Sequence, residues 1–203
     1  QVSGETLFEY DETFTVTLGA PSHPDVSVTT ATGTGTIRND DAAPTISIAS
    51  PSQDEGNGGN APMNFVVSLS TAAGRPVQFT RATADGTANL ANNDYLQLAA
   101  GPATIPAGDT TLSIPVQVVG DSVYEGDENF SLALTAVDGA TPNSLSGIGT
   151  IVDDDQQPTT TTITGRTPSA TVVGQAYTVA VRTSGVHDSP LGMVTISDGS
   201  SVC

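Results

Sequence analysis

Four carboxyl side chains, Asp121, Glu125, Asp127 and Glu128, fall within eight residues of the stretch VVGDSVYEGDENFSLAL, directly before the alternating run FSLAL. Like charges this close repel. Two carboxylates about 4 Å apart cost roughly 4 kcal/mol at an effective dielectric of 20. More acids stand at other element ends: Asp54 and Glu55 in SQDEGNGG, Asp85 and Asp94 in ATADGTANLANNDY, and Asp153, Asp154 and Asp155 in IVDDDQQ. If the loops carrying them gather at one pole, the natural chemistry is capture of a hard cation.

Residue types narrow the cation. Calcium takes six to eight oxygens from flexible carboxylate and carbonyl ligands, whereas magnesium prefers waters and phosphates. Zinc asks for His or Cys, and the chain has two His and one Cys, none of them clustered. Calcium is therefore the favoured ion. Two calcium templates fail: an EF-hand after Asp85 would need Gly at Leu90 and Glu at Leu96, and GNGGNAPMN lacks the Asp of the Gly-rich nonapeptide. An ordinary alternative stands beside the cation reading. Asp-Gly pairs such as Asp85-Gly86 and Asp198-Gly199 form turns, and acids at strand ends block edge pairing and keep a protein soluble.

The elements that must position these acids are strands. Period-two alternation recurs in FTVTL (Phe14, Val16, Leu18), FVVSL (Phe65, Val67, Leu69), LSIPVQV (Leu112, Ile114, Val116), FSLAL (Phe130, Leu132, Leu134) and YTVAV (Tyr177, Val179, Val181). Turn-rich segments separate them, and no helical period competes, so the chain reads as antiparallel sandwiches. Pro115 inside a strand pattern predicts an edge position or a bulge. In a sandwich, loops from alternate strand ends meet at one pole, where carboxylates from several loops converge.

The pattern repeats. GETLFEYDETFTVTL from Gly4 matches GDSVYEGDENFSLAL from Gly120, 116 residues on, and GTIRNDD from Gly35 matches GTIVDDD from Gly149, 114 residues on. The repeat unit is roughly 115 residues, the size of one sandwich. Residues 1–41 read as the C-terminal part of one unit, 44–155 as a complete unit, and 156–203 as a Thr- and Pro-rich linker followed by the first strands of another sandwich. Both ends of the chain are expected to fall within domains.

Composition excludes several functions. Twenty-two acids against five basic residues, all Arg, give a formal net charge of -17, which repels nucleic acid and anionic membranes. No apolar run approaches the length of a membrane span. The lone Cys203 has no partner in the chain for a disulfide. His23 and His187 lie in loop contexts and read as exposed loop residues. No Gly-x-Ser-x-Gly elbow or phosphate loop is present, and a chain without Trp lacks the usual aromatic platforms for a glycosidase. The reading is a non-enzymatic one.

Taken in order, DEGNGG, TADGTANLANNDY, IPAGDTTLSIPVQVVGDSVYEGDENFSLAL and GTIVDDD resemble the Calx-beta domain, a module of sodium/calcium exchangers, an integrin β subunit and many large bacterial surface proteins. The resemblance covers Pro44–Asp155 fully and Gln1–Asp41 in part. It implies an all-β, immunoglobulin-like sandwich of seven strands, in tandem, with truncated terminal units. It also implies a Ca2+ cluster held by Glu55, Asp85, Asp121, Glu125, Glu128, Asp153, Asp154 and Asp155, with the backbone carbonyl of Val123. The exchanger pattern carries one more Asp where this chain has Gly120, and the first unit has Gly4 there, so one ligand is lost and fewer or weaker sites are expected. In that unit Glu5, Glu9, Glu12, Asp40 and Asp41 match, while Asn39 replaces an Asp. The tail from TTTTITG resembles bacterial immunoglobulin-like surface repeats. Together these imply a calcium-binding, non-catalytic module of a large bacterial extracellular or cell-surface protein. Its expected partners are calcium ions, neighbouring domains of the chain and an adhesion target such as a surface protein or glycan. A spacer sandwich without useful calcium affinity and an accessory module of a secreted enzyme are the alternatives.

Overall fold

The computed structural model describes residues 2–167 and 178–185, and all regular structure among them is β. Strands β3 (Thr45–Ile48), β4 (Ser52–Asp54), β5 (Gly59–Leu69), β6 (Val77–Asp85), β7 (Gly101–Ile105), β8 (Thr111–Gly120), β9 (Glu128–Asp138), β10 (Thr141–Ser144) and β11 (Ser146–Val152) build one sandwich. One sheet runs β10-β3-β5-β8 and the other β4-β11-β9-β6-β7. The first and last passes of the chain are each divided between the sheets. β3 pairs with β10 and β4 with β11, both in parallel, while the other pairings within the sandwich are antiparallel. Counting the divided passes once gives seven, the number expected.

Alternation builds the core. Met63, Phe65, Val67 and Leu69 on β5 and Ile114, Val116 and Val118 on β8 face Val77 and Phe79 on β6 and Phe130, Leu132 and Leu134 on β9, all buried. Phe65 meets Phe130 edge to face at 5.7 Å between centroids, and Tyr95 stacks on Phe130 at 4.3 Å. Each such side chain contributes roughly 1.5–3 kcal/mol by leaving water. Gly149 has no room for a side chain beneath Met63, Phe65 and Phe130. Pro115 lies on β8, at the edge of its sheet, where a missing N–H costs no ladder bond.

Ahead of the sandwich, β1 (Glu12–Thr17) and β2 (Thr32–Ile37) form an antiparallel pair with Glu12 opposite Ile37 and Phe14 opposite Gly35. β9 and β11 pair Glu128 with Ile151 and Phe130 with Gly149. The two pairings fall at the same places in the repeated motifs, but the environments differ. Phe14, Val16 and Leu18 are 46%, 57% and 59% exposed, so among the described residues no second sheet covers the apolar face that FTVTL was expected to bury.

The segment preceding β1 docks on the sandwich through Arg75. Phe8 bridges to Ala73, and Gly74 N–H donates to Phe8 O at 3.0 Å. The Arg75 guanidinium lies 3.7 Å from the centre of the Tyr10 ring and pairs with Asp138. Gly108 N–H donates to Ala73 O, so the β7–β8 turn belongs to this same pole. After the sandwich, β12 (Thr159–Thr167) pairs antiparallel with β13 (Thr178–Gly185). Tyr177 of YTVAV, His187, Asp198-Gly199 and Cys203 lie outside the described residues.

The equivalent aromatics give a direct test of burial. Phe130→Ala should cost about 3–5 kcal/mol, whereas Phe14→Ala should stay within about 0.5 kcal/mol, as surface changes do. Urea unfolding followed by fluorescence or circular dichroism measures both. Equal losses would mean that the β1–β2 face is covered.

Candidate metal centre

The pole opposite Arg75 gathers the ends of β4, β6, β8 and β11, the start of β9 and the loops between them. Glycine shapes the first loop. Gly56, Gly58 and Gly59 take φ of 76°, 145° and 79°, which L side chains adopt rarely. That tight path tucks Glu55 inward until it is only 9% exposed. Glu55 N–H is held by Val152 O at 3.0 Å, and Gly56 N–H by Asp154 Oδ1 at 3.1 Å.

The long loop after β6 is pinned differently. Tyr95 is buried on Phe130 and its hydroxyl donates to Asp85 Oδ1 at 2.5 Å. Val119 N–H donates to Asp94 O and Leu96 N–H to Gln117 O, stitching the loop along β8. Asp94 Oδ2 accepts from Asn89 N–H at 2.7 Å. Burial first, then its bond to Asp85, pushes the Tyr95 hydroxyl up to about 12.

Asp153 organises the β8–β9 connection. Its Oδ2 accepts from the N–H groups of Glu125 (2.9 Å) and Gly126 (2.5 Å), and its Oδ1 from Asp155 N–H (2.9 Å). Asp127 Oδ1 accepts in turn from Asp153 N–H, and Asp121 Oδ1 from Val123 N–H at 2.7 Å. In the β1–β2 unit, Asn39 Oδ1 accepts from Glu9 N–H at 3.0 Å, the counterpart of the Asp153–Glu125 bond.

Two groups of carboxyls result. Oxygens of Glu55, Asp121 and Asp155 lie within 4.8 Å of one another, and so do oxygens of Asp94, Glu125 and Glu128. Glu55 Oε1 and Asp155 Oδ2 are buried without a hydrogen-bond donor. Burial, the facing Asp155 carboxyl and the charges of Asp153 and Asp121 push Glu55 up to about 8. Burial and the neighbouring Asp94 push Glu128 up to about 7, and burial with the Asp94 and Asp121 charges raises Glu125. Metal-free, the pole keeps protons that ordinary carboxyls have lost.

An all-oxygen donor set with buried, donorless oxygens fits a hard divalent cation and not zinc. Of the nine residues expected from sequence, five fall in these groups: Glu55, Asp121, Asp155, Glu125 and Glu128. Asp153 and Asp154 anchor the neighbouring loops through backbone N–H groups, Val123 is exposed beside Asp121, and Asp85 is bonded to Tyr95. Asp94, which was not among the nine, lies with Glu125 and Glu128. Asp85 and Asp94 both sit in ATADGTANLANNDY, and the one legible sign was the apolar-bodied Tyr95 that follows Asp94 and turns its loop inward.

A sandwich with an acidic pole defines the class of protein, and comparison with known families gives the family. The Calx-beta domain profile matches residues 39–164, and the chain belongs to the Calx-beta family. Among solved structures, similarity extends to CBD12 from CALX1.2 (23% identity over 55% of this chain and 44% of that one, TM-score 0.48). The apo-form Calx CBD1 domain aligns at 22% identity over 56% of this chain and 100% of that one, with a TM-score of 0.46. The calcium binding domain CBD12 of CALX1.1 aligns at 21% identity over 59% and 50%, with a TM-score of 0.48. The chain thus spans less than half the length of the first of these. A search of curated proteins found no match.

The raised carboxyls set a pH dependence. Glu55 and Glu128 hold protons more tightly folded than in an unfolded chain, whose value is 4.5. Folding therefore takes up protons, and the stability so gained is present below about pH 4.5 and lost as pH rises through 7 to 8. In chelator, the urea midpoint should fall between pH 5 and 9. Glu55→Gln with Glu128→Gln should flatten that slope, and a slope unchanged by the pair would remove these groups as its cause.

Proposed function

We propose that the chain is a calcium-binding, non-catalytic module of a large bacterial extracellular or cell-surface repeat protein. One observation carries the calcium reading: Glu55, 9% exposed, keeps a buried Oε1 without a donor, and Asp155 of the same carboxyl group keeps a buried Oδ2 without one. A cation between them supplies the missing positive charge. Glu55, Asp121 and Asp155 would hold one ion, and Asp94, Glu125 and Glu128 a second. Asp153 and Asp154 hold the loops in place and complete the oxygen shell together with the carbonyl of Val123. Asp85 would join through the Tyr95 bond. Membership of the Calx-beta family supports the same ion.

The surface-repeat reading rests on the chain's organisation. Residues 1–41 form the C-terminal part of a first unit, supported by the matching β1–β2 and β9–β11 registers. Residues 44–155 form the complete unit, and 156–203 a linker with the start of a bacterial immunoglobulin-like repeat, the expected Thr-rich linker run lying within β12. Neighbouring units and an adhesion target, a protein or glycan, are the partners. Within this reading the module binds the ion and stiffens the pole from which the linker leaves.

Calcium titration of the chain tests it. Binding to the folded state alone stabilises by about 1 kcal/mol at a fivefold excess over Kd, and extracellular modules have Kd of roughly 10⁻⁴–10⁻³ M. Melting temperature should rise with millimolar calcium and much less with magnesium. Glu55→Gln and Glu128→Gln should each weaken binding about tenfold, in the range of changes to a metal's surroundings. Asp109→Asn removes the same charge at the opposite pole and should leave binding unchanged. No response up to 10 mM calcium would establish the spacer reading instead.

A further inference from the structure

Gly120 ends β8, immediately before Asp121, and is buried. Its φ is not positive, so backbone conformation does not call for glycine there. Space does. A Cβ on Gly120 would come under 3.0 Å from the carbonyl oxygens of both Glu55 and Gly56. These are backbone atoms and cannot swing aside as a side chain can. The loop is held from the other side as well, by the Glu55 N–H bond to Val152 O and the Gly56 N–H bond to Asp154 Oδ1. Gly59, where β5 begins, pairs directly with Gly120. A side chain at 120 would therefore lift the loop away from β11, and Glu55 would leave the pocket in which its Oε1 has no donor.

We propose that Gly120 is a positioning residue for the cation group Glu55, Asp121 and Asp155: its missing side chain lets the Glu55 loop lie against the end of β8 and delivers the buried carboxyl. The inference rests on the calcium reading above and deepens it. It also reverses the expectation from ligand counting. The resembling pattern has an Asp at this position, so Gly120→Asp adds a carboxylate to the pole. In this chain the added side chain meets the loop backbone before it can serve as a ligand. The substitution should therefore weaken binding at this group.

The test uses the full chain with Gly120→Ala, Gly120→Asp and Glu55→Gln, each with and without Glu55→Gln where that applies. In metal-free protein, amide exchange at Glu55 and Gly56 should quicken about tenfold or more in Gly120→Ala, as local opening does, while Phe65 and Leu132 keep their protection. Calcium titration, with terbium luminescence as a second probe, should show about a tenfold loss at one class of site and none at the other. Adding Glu55→Gln to Gly120→Ala should cost nothing further, and Gly120→Asp should bind no better than Gly120→Ala. Unchanged protection at both loop amides, or tighter calcium binding by Gly120→Asp, overturns the proposal. Protection lost evenly through β5 and β9 overturns it too, because Gly120 then serves the fold and not the loop. If the wild-type chain binds no calcium, the functional reading fails, and the exchange measurement still decides whether Gly120 positions Glu55.

Discussion

Carboxyl repulsion at one pole is the constraint around which the rest of this sandwich is arranged. The structure divides the burden between two residue types. Aspartates carry charge where the backbone can answer it: Asp153 accepts from three N–H groups, and Asp94, Asp121 and Asp154 from one each. The glutamates Glu55 and Glu128 reach further in, where burial raises their affinity for a proton. Loop geometry is thus set by aspartate–backbone bonds, while the two carboxyl groups draw on both residue types, Glu55 with Asp121 and Asp155, and Glu125 and Glu128 with Asp94.

Much of this was legible. Alternation in FVVSL and FSLAL marked the strands whose Phe65 and Phe130 meet at the core, because a period of two shows which face is buried. The acidic motifs marked the pole, since their strands end there. The choice between Asp85 and Asp94 was not legible. It depends on Tyr95, whose ring fills space over Phe130 while its hydroxyl claims Asp85, and that is a tertiary contact. The division of the first and last passes between two sheets was also hidden, because parallel pairing of β4 with β11 leaves no mark in local alternation. Gly120 looked like a lost ligand, and only the neighbouring carbonyls show what its small size accommodates.

The β1–β2 pair separates register from burial. FTVTL and FSLAL pair with their partners in the same register, yet Phe14 is 46% exposed and Phe130 fully buried. Hydrogen bonding and cross-strand neighbours set the register, but a two-stranded pair is marginal in water and a covered face needs a second sheet. The Asn39–Glu9 bond adds that the loop geometry of the acidic motif survives replacement of Asp by a neutral amide. Backbone capture needs an acceptor oxygen and not a charge, so the motif's shape and its capacity for a cation are separable properties.

That separation bears on how a proton and a cation compete at the complete pole. Burial and neighbouring carboxyls push Glu55 up to about 8 and Glu128 up to about 7, so both hold protons more tightly than ordinary carboxyls do. A cation entering either group must expel those protons, and its apparent affinity falls as pH drops below the raised values. Protons on the raised glutamates relieve part of the repulsion that a cation would otherwise relieve. Replacing the proton with an ion changes the charge at Glu55 and Glu128 but leaves the aspartate–backbone bonds free to persist. On that basis an ion would meet loops already held by aspartate–backbone bonds, with part of the carboxyl repulsion relieved by protons.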